Sequence, residues 1–189
     1  MTSFREHTVE GFVAAVAARE PAPSGGAVAA VTVAAAAGLV AMAARFSGRL
    51  PGADDIATAA DELRTGVVAL TDADAAAYGA VLAAYRLPAD RPDRREEIRR
   101  ALCGAAAVPL QIAATGARVA ELAADVARRG NPNLAGDAHT AVLLAEAATR
   151  AAADLVRINV ELGGLNASVT ADAEAHVAVA ARAATGAPA

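Results

Sequence analysis

The chain has 189 residues, a formal net charge of -4 and 20% charged residues, enough length to bury a core. Roughly a third of the residues are Ala, the best helix former, so the composition favours an all-α fold. Acids outnumber bases and are interleaved with them, which excludes a concentrated basic nucleic-acid face. One cysteine, Cys103, and three scattered histidines, His7, His139 and His176, exclude an intramolecular disulfide and make a zinc site improbable.

All 17 Lys+Arg positions are arginine, so no lysine can form a Schiff base or act as a general base. The start, "MTSFREHTVE", lacks the basic-then-apolar pattern of a secretion signal. The expected location is the cytoplasm. The whole of 1–189 is expected as one helical domain, with its core over about 8–185.

A first helix starts near Thr8, which can cap it, and Phe12, Val13 and Val16 form its apolar stripe. "EPAPSGG" breaks it. The second helix runs from about Gly26 to Phe46 and stops at "SGRLPG". From Gly25 to Ala44 it carries no charge, long enough for a membrane span. Its Ala content, Thr32, the glycines and the missing aromatic flanks argue instead for a helix buried in a bundle or a dimer, with no membrane involved.

The third helix is expected from Asp54 or Asp55, as cap, to about Arg86, because Ile56, Leu63, Val67, Leu70, Tyr78, Leu82 and Tyr85 repeat at helical spacing. "LPADRPD" ends it. The fourth runs from about Asp93 to Arg129, with a kink expected at Pro109, which lacks the N–H a helix interior uses. Cys103 lies in its apolar part and reads as a buried, inert thiol. After "RGNPN" the fifth runs from about Ala135 to Leu162 and closes at Gly163-Gly164. The last covers about Ala167 to Ala184, and "TGAPA" reads as a frayed tail. Short connections between about six helices give an antiparallel bundle.

Three stretches carry more than packing signals. The first, "PAPSGG", holds Pro23, Ser24, Gly25 and Gly26 at a helix N-terminus, where free N–H groups meet anions; taken alone, a plain helix–helix turn is the simpler reading. The second holds Asp72 and Asp74, about 200° apart around one helix. Asp72 falls on the stripe of Leu82, and a carboxylate on an apolar surface has a raised pKa suited to acid or base work; the plain alternative is that both are exposed. The third, Arg128 to Val160, contains Asn131 and Asn133 in a turn, Asp137 at a helix start, and Arg150, Asp154 and Arg157 on one face. Arg157 and Asn159 are polar in an otherwise apolar last turn. Capping and surface ion pairs are the simpler readings of each alone.

Together, "PAPSGGA", "DADAAAYGAVLAAYRLP", "AVPLQIA", "GNPNLAGD" and "VRINV", in this order over about Val9 to Asn166, resemble the cyclodeaminase/cyclohydrolase family. This family comprises the C-terminal half of formiminotransferase-cyclodeaminase and its stand-alone bacterial relatives. The resemblance implies an all-α homodimer with its site at or near the dimer interface. It implies a folate substrate and no metal or redox cofactor. The implied reaction is either closure of 5-formiminotetrahydrofolate with loss of ammonia, or hydration of 5,10-methenyltetrahydrofolate to the 10-formyl form. The implied acid/base groups are Asp72 and Asp137, with Asp74 behind them. Pro23, Ser24, Gly25, Gly26, Arg49, Asn131, Asn133 and Arg157 are the implied substrate contacts. The chain departs from the family pattern at Ser24 and Ala27, at "SGRL", where Arg49 is the remaining cation, and at Gly136. These departures leave open a degenerate member that binds another small molecule or a partner protein.

Overall fold

The computed structural model describes residues 3–186. Among these every regular element is a helix, with no strand: α1 is Val9–Ala17, α2 Gly25–Arg45, α3 Ala53–Val68, α4 Leu70–Tyr85, α5 Arg94–Arg129, α6 Ala135–Gly163 and α7 Ser168–Gly186, with 3-10 turns at Phe4–Glu6 and Pro132–Leu134. The end of the "TGAPA" tail, 187–189, lies outside the described residues, while Thr185 and Gly186 continue α7. The helix expected over Asp54–Arg86 is present as α3 and α4. They meet at Ala69, which keeps right-handed helical angles.

Local chemistry accounts for several of the ends. Thr8 Oγ1 accepts from Gly11 N at 3.0 Å and caps α1. The start of α3 differs from expectation. Its cap is Gly52, in the left-handed region at φ 76°, while Asp54 and Asp55 sit inside the first turn and face the positive helix end. Gly164, at φ 55°, closes α6, with Leu165 N donating to Val160 O at 3.0 Å.

Helix α2 is the central wall. Its buried face, including Ala30, Val33, Ala37, Val40 and Ala44, packs with α5 and α6 residues such as Ile112, Val119, Ala141 and Val142 in the main core. By length and composition α2, α3–α4 and α5 could each cross a membrane. In α2, 61% of the apolar window is instead buried inside the bundle. Cβ-free contacts allow this closeness: a methyl at Gly116 of α5 would overlap the Thr149 hydroxyl of α6.

Two expectations on α5 resolve differently. The helix runs without interruption through the buried Pro109. Pro109 has no N–H for the carbonyl of Ala105, and the Nδ2 of Asn159 on α6 donates to that oxygen instead, at 3.0 Å. Cys103 is exposed rather than buried, because α5 turns Leu102, Ala105 and Ala106 inward and leaves Cys103 outside.

Candidate active site

The sequence motifs gather at the two ends of α2, and the ends differ in chemistry. At its N-terminus, which we call the mouth, Pro23 is buried and Ser24 precedes the first helical turn without capping it through its own side chain. The cap comes from α4. Asp74 Oδ2 accepts from Ala27 N at 3.1 Å and from Ser24 Oγ at 2.8 Å. Asp74 is 9% exposed, and burial pushes its carboxyl above the ordinary Asp range, against the smaller lowering by the Ser24 and Ala27 hydrogen bonds. A methyl at Gly26 would overlap this carboxylate. Gly26 is therefore a site requirement rather than a turn preference: the carboxylate fills the space of the missing Cβ. At Gly25, which is exposed at the rim, an added Cβ would come to 3.9 Å from Leu155 Cδ1 of α6.

Sequence reasoning placed the apolar-surface carboxylate at Asp72; the structure places it at Asp74. The two acids point about 200° apart, as their spacing requires, and it is Asp74's side of α4 that meets α2. Asp72 faces the N-terminal turn. Its Oδ2 accepts from Ser3 Oγ at 2.5 Å and its Oδ1 from Phe4 N at 2.8 Å.

At the C-terminus of α2, the corner, the chain folds around Ser47. This buried hydroxyl donates to Ala43 O at 2.7 Å and accepts from Asn131 N at 2.8 Å. Asn131 Nδ2 donates to Phe46 O at 3.1 Å, and its Oδ1 accepts from Asn133 N at 3.0 Å. A cavity of about 300 Å³ opens there, lined by Phe46, Arg49, Arg129, Asn131 and Pro132 among others. Arg129 is neutralised by Asp125. Arg49 has no ion pair among the described residues, so it is the charge this cavity offers an anion. Asp137 follows in the first turn of α6.

Thus Pro23, Ser24, Gly25, Gly26 and Asp74 come together, and Arg49, Asn131, Asn133 and Asp137 share the other end. The 21 residues of α2 separate the two groups, about 30 Å at the helical rise. Arg157 joins neither. Its guanidinium holds Glu161 at 3.1 Å and Asp154 at 3.4 Å on the exposed α6–α7 side. Ser3, Ser47 and Asn159 carry polar contacts that sequence reasoning did not assign. "SGR" signals a break, but nothing local says that its serine is the buried knot. Among the described residues no group of three or more His, Cys, Asp or Glu forms a metal-ligand cluster.

The comparisons with known proteins agree with the helical fold. Residues 8–178 match the family model described as formiminotransferase-cyclodeaminase. A methenyltetrahydrofolate cyclohydrolase of Methylorubrum extorquens is 33% identical over 80% of this chain and 78% of its own length. The formimidoyltransferase-cyclodeaminase of Mus musculus is 30% identical over 84% of this chain, which spans only 31% of that longer protein. The crystal structure of a formiminotetrahydrofolate cyclodeaminase from Thermotoga maritima superimposes with a TM-score of 0.86 at 27% identity, covering 96% of this chain and 93% of that one. With its motifs, its helical fold and a family match over nearly its whole length, the chain belongs to the formiminotransferase-cyclodeaminase family.

Proposed function

We propose that this chain is a folate one-carbon enzyme, acting as a methenyltetrahydrofolate cyclohydrolase or a formiminotetrahydrofolate cyclodeaminase. The observation that carries the reading is the buried Asp74 at the α2 mouth. Hydration of the methenyl carbon requires a base to take a proton from the attacking water. Ring closure of the formimino group requires N10 to attack the carbon and ammonia to leave with a proton. A carboxyl with a raised pKa serves either step, and its anionic form stabilises the methenyl cation. Asp74 takes this role ahead of Asp72, whose oxygens are both held by the N-terminal turn. No metal or redox group enters the reaction, and the enzyme works in the cytoplasm.

The reading includes a homodimer. Gly25, Val28, Thr32, Ala35, Leu39 and Met42 recur at alternating steps of three and four along the outward side of α2, all uncharged and all partly or fully exposed. That is the spacing of a helix–helix seam. Thr32 satisfies its hydroxyl on Val28 O, at 2.9 Å, and costs the seam little. Two copies packed antiparallel on this stripe place the mouth of one beside the corner of the other. The span between mouth and corner within one chain exceeds a single folate, so the dimer forms the complete site: Asp74 for chemistry, and Arg49 with Asn131 and Asn133 of the opposite copy for the substrate's carboxylates. Asp137, in the first turn of α6 that follows the Asn131–Asn133 turn, is the remaining carboxyl candidate at that end.

A second reading has its own observation. Asp74 accepts from Ser24 and Ala27 as a cap does, which suits a degenerate member that keeps the bundle and binds another ligand. Absorbance separates the two. Purified protein mixed with 5,10-methenyltetrahydrofolate accelerates the loss of its absorbance over the uncatalysed rate, or with 5-formiminotetrahydrofolate produces its gain. Silence on both substrates from a folded protein rejects the enzyme reading.

A further inference from the structure

Asn159 is the polar side chain near the mouth that the catalytic reading leaves unused. Its Nδ2 donates to two carbonyls, Ala105 O at 3.0 Å and Leu155 O at 2.9 Å. Two acceptors can be met only by the amino end of the amide, so the side chain has one orientation. Its Oδ1 then faces away from both carbonyls. That oxygen accepts nothing among the described residues, and it is not sealed from solvent. Asn159 lies one turn beyond Leu155, whose Cδ1 stands 3.9 Å from where a Cβ on Gly25 would be. It also bonds the carbonyl of Ala105, which clusters with Val81 of α4, two turns beyond Asp74. An oriented, unpaired acceptor therefore stands beside the elements that form the mouth.

We propose that Asn159 is a specificity-determining residue of this site, whose Oδ1 accepts a hydrogen bond from an N–H of the substrate's heterocycle. The proposal rests on the folate reading above. A site built to pair a donor discriminates strongly against ligands lacking it, and the pterin ring carries such donors.

The difficulty is that Asn159 also replaces the donor missing at Pro109, so its removal disturbs α5. Pro109→Ala removes the difficulty, because Ala at 109 supplies the N–H for Ala105 O. In that background Asn159→Leu unfolds within a few degrees of Pro109→Ala alone. Its KM for methenyltetrahydrofolate, or for the formimino substrate if that is the one turned over, rises by about tenfold or more, with kcat within a few-fold. Asn159→Ala in the same background replaces the Leu variant if Leu does not fit. A KM equal to that of Pro109→Ala overturns the proposal and leaves Asn159 as a staple for the proline. If neither the unmodified chain nor Pro109→Ala turns over either folate, the enzyme reading fails and this proposal fails with it. Turnover that is present but insensitive to Asn159 defeats this proposal alone.

Discussion

The two ends of α2 solve the same structural problem in opposite ways. Each leaves backbone groups that need partners. At the mouth a buried carboxylate from another helix supplies them, with Gly26 giving up its Cβ to admit it. At the corner a neutral hydroxyl and an amide do so, through Ser47 and Asn131, and the cation Arg49 is left free. The first arrangement spends desolvation on one acid and so tunes its proton affinity. The second costs little charge burial and leaves the cation exposed. On the proposed reading, the first arrangement serves the reaction and the second anchors the substrate's anionic tail.

The sharpest way to break this contrast is Gly26→Ala. The added methyl has no space while Asp74 stays in place, so either the carboxylate or α2 must move. Overpacking of this kind costs about 1–3 kcal/mol, and displacement of Asp74 should remove turnover beyond the hundredfold level. Ala at Gly66, whose added Cβ would meet nothing within 4 Å, serves as the control. Denaturant unfolding and an absorbance assay on both variants check it. A Gly26→Ala protein with native stability and rate would show that the carboxylate is not seated as described.

Single-charge changes at the two ends should differ in kind. Asp74→Asn should lower kcat by at least about a hundredfold with little change in KM. Arg49→Glu should raise KM by about tenfold or more through loss of a charged contact, with stability unchanged because Arg49 has no internal partner to abandon. The pair also tests the seam on α2. When the two impaired variants are denatured, mixed in equal amounts and refolded, random pairing yields half heterodimers, each with one intact composite site. About a quarter of the unmodified activity at subsaturating substrate should return. No recovery from a protein shown to be dimeric would place both groups' work within one chain, or show that they do not share a site.

The sequence foretold the helices better than their faces. Apolar residues at helical spacing and the breakers "EPAPSGG", "SGRLPG", "LPADRPD" and "RGNPN" mark the elements, and their positions agree with the structure within a few residues. Ala blurs everything that depends on orientation. A helix whose buried and exposed faces are both Ala-rich has little amphipathic contrast, so neither the inward side of α4 nor that of α5 could be assigned. That is why Asp72 was favoured over Asp74 and why Cys103 was expected inside. Other features depend on partners far away in the chain. Gly26 needs an acid 48 residues later, Ser47 a turn 84 residues later, and the gap left by Pro109 an amide 50 residues later. No local pattern holds that information. The motif resemblance did identify the glycine loop, "DADA", "VPL" and "RIN" as segments of one family, but not the bonds that join them.

The smallest expected effect separates the two readings of Asp74 most directly. Its carboxyl is held above the ordinary value of 3.8 chiefly by burial, so between 3.8 and the raised value the folded protein keeps a proton that the unfolded chain has released. Stability supplied by this group therefore falls as pH rises through that window, and stays constant above it. Asn carries no such proton. Asp74→Asn should gain stability relative to the unmodified protein on going from pH 3.5 to pH 7, with the change complete once the raised pKa is passed. Urea unfolding of both proteins at several pH values measures the difference directly. The opposite slope, with the unmodified protein gaining as pH rises, would mean that the α2 N-terminus and Ser24 stabilise the anion more than burial destabilises it. Asp74 would then be a charged cap with a lowered pKa, suited to holding a helix rather than trading a proton, and the acid/base role would pass to another group.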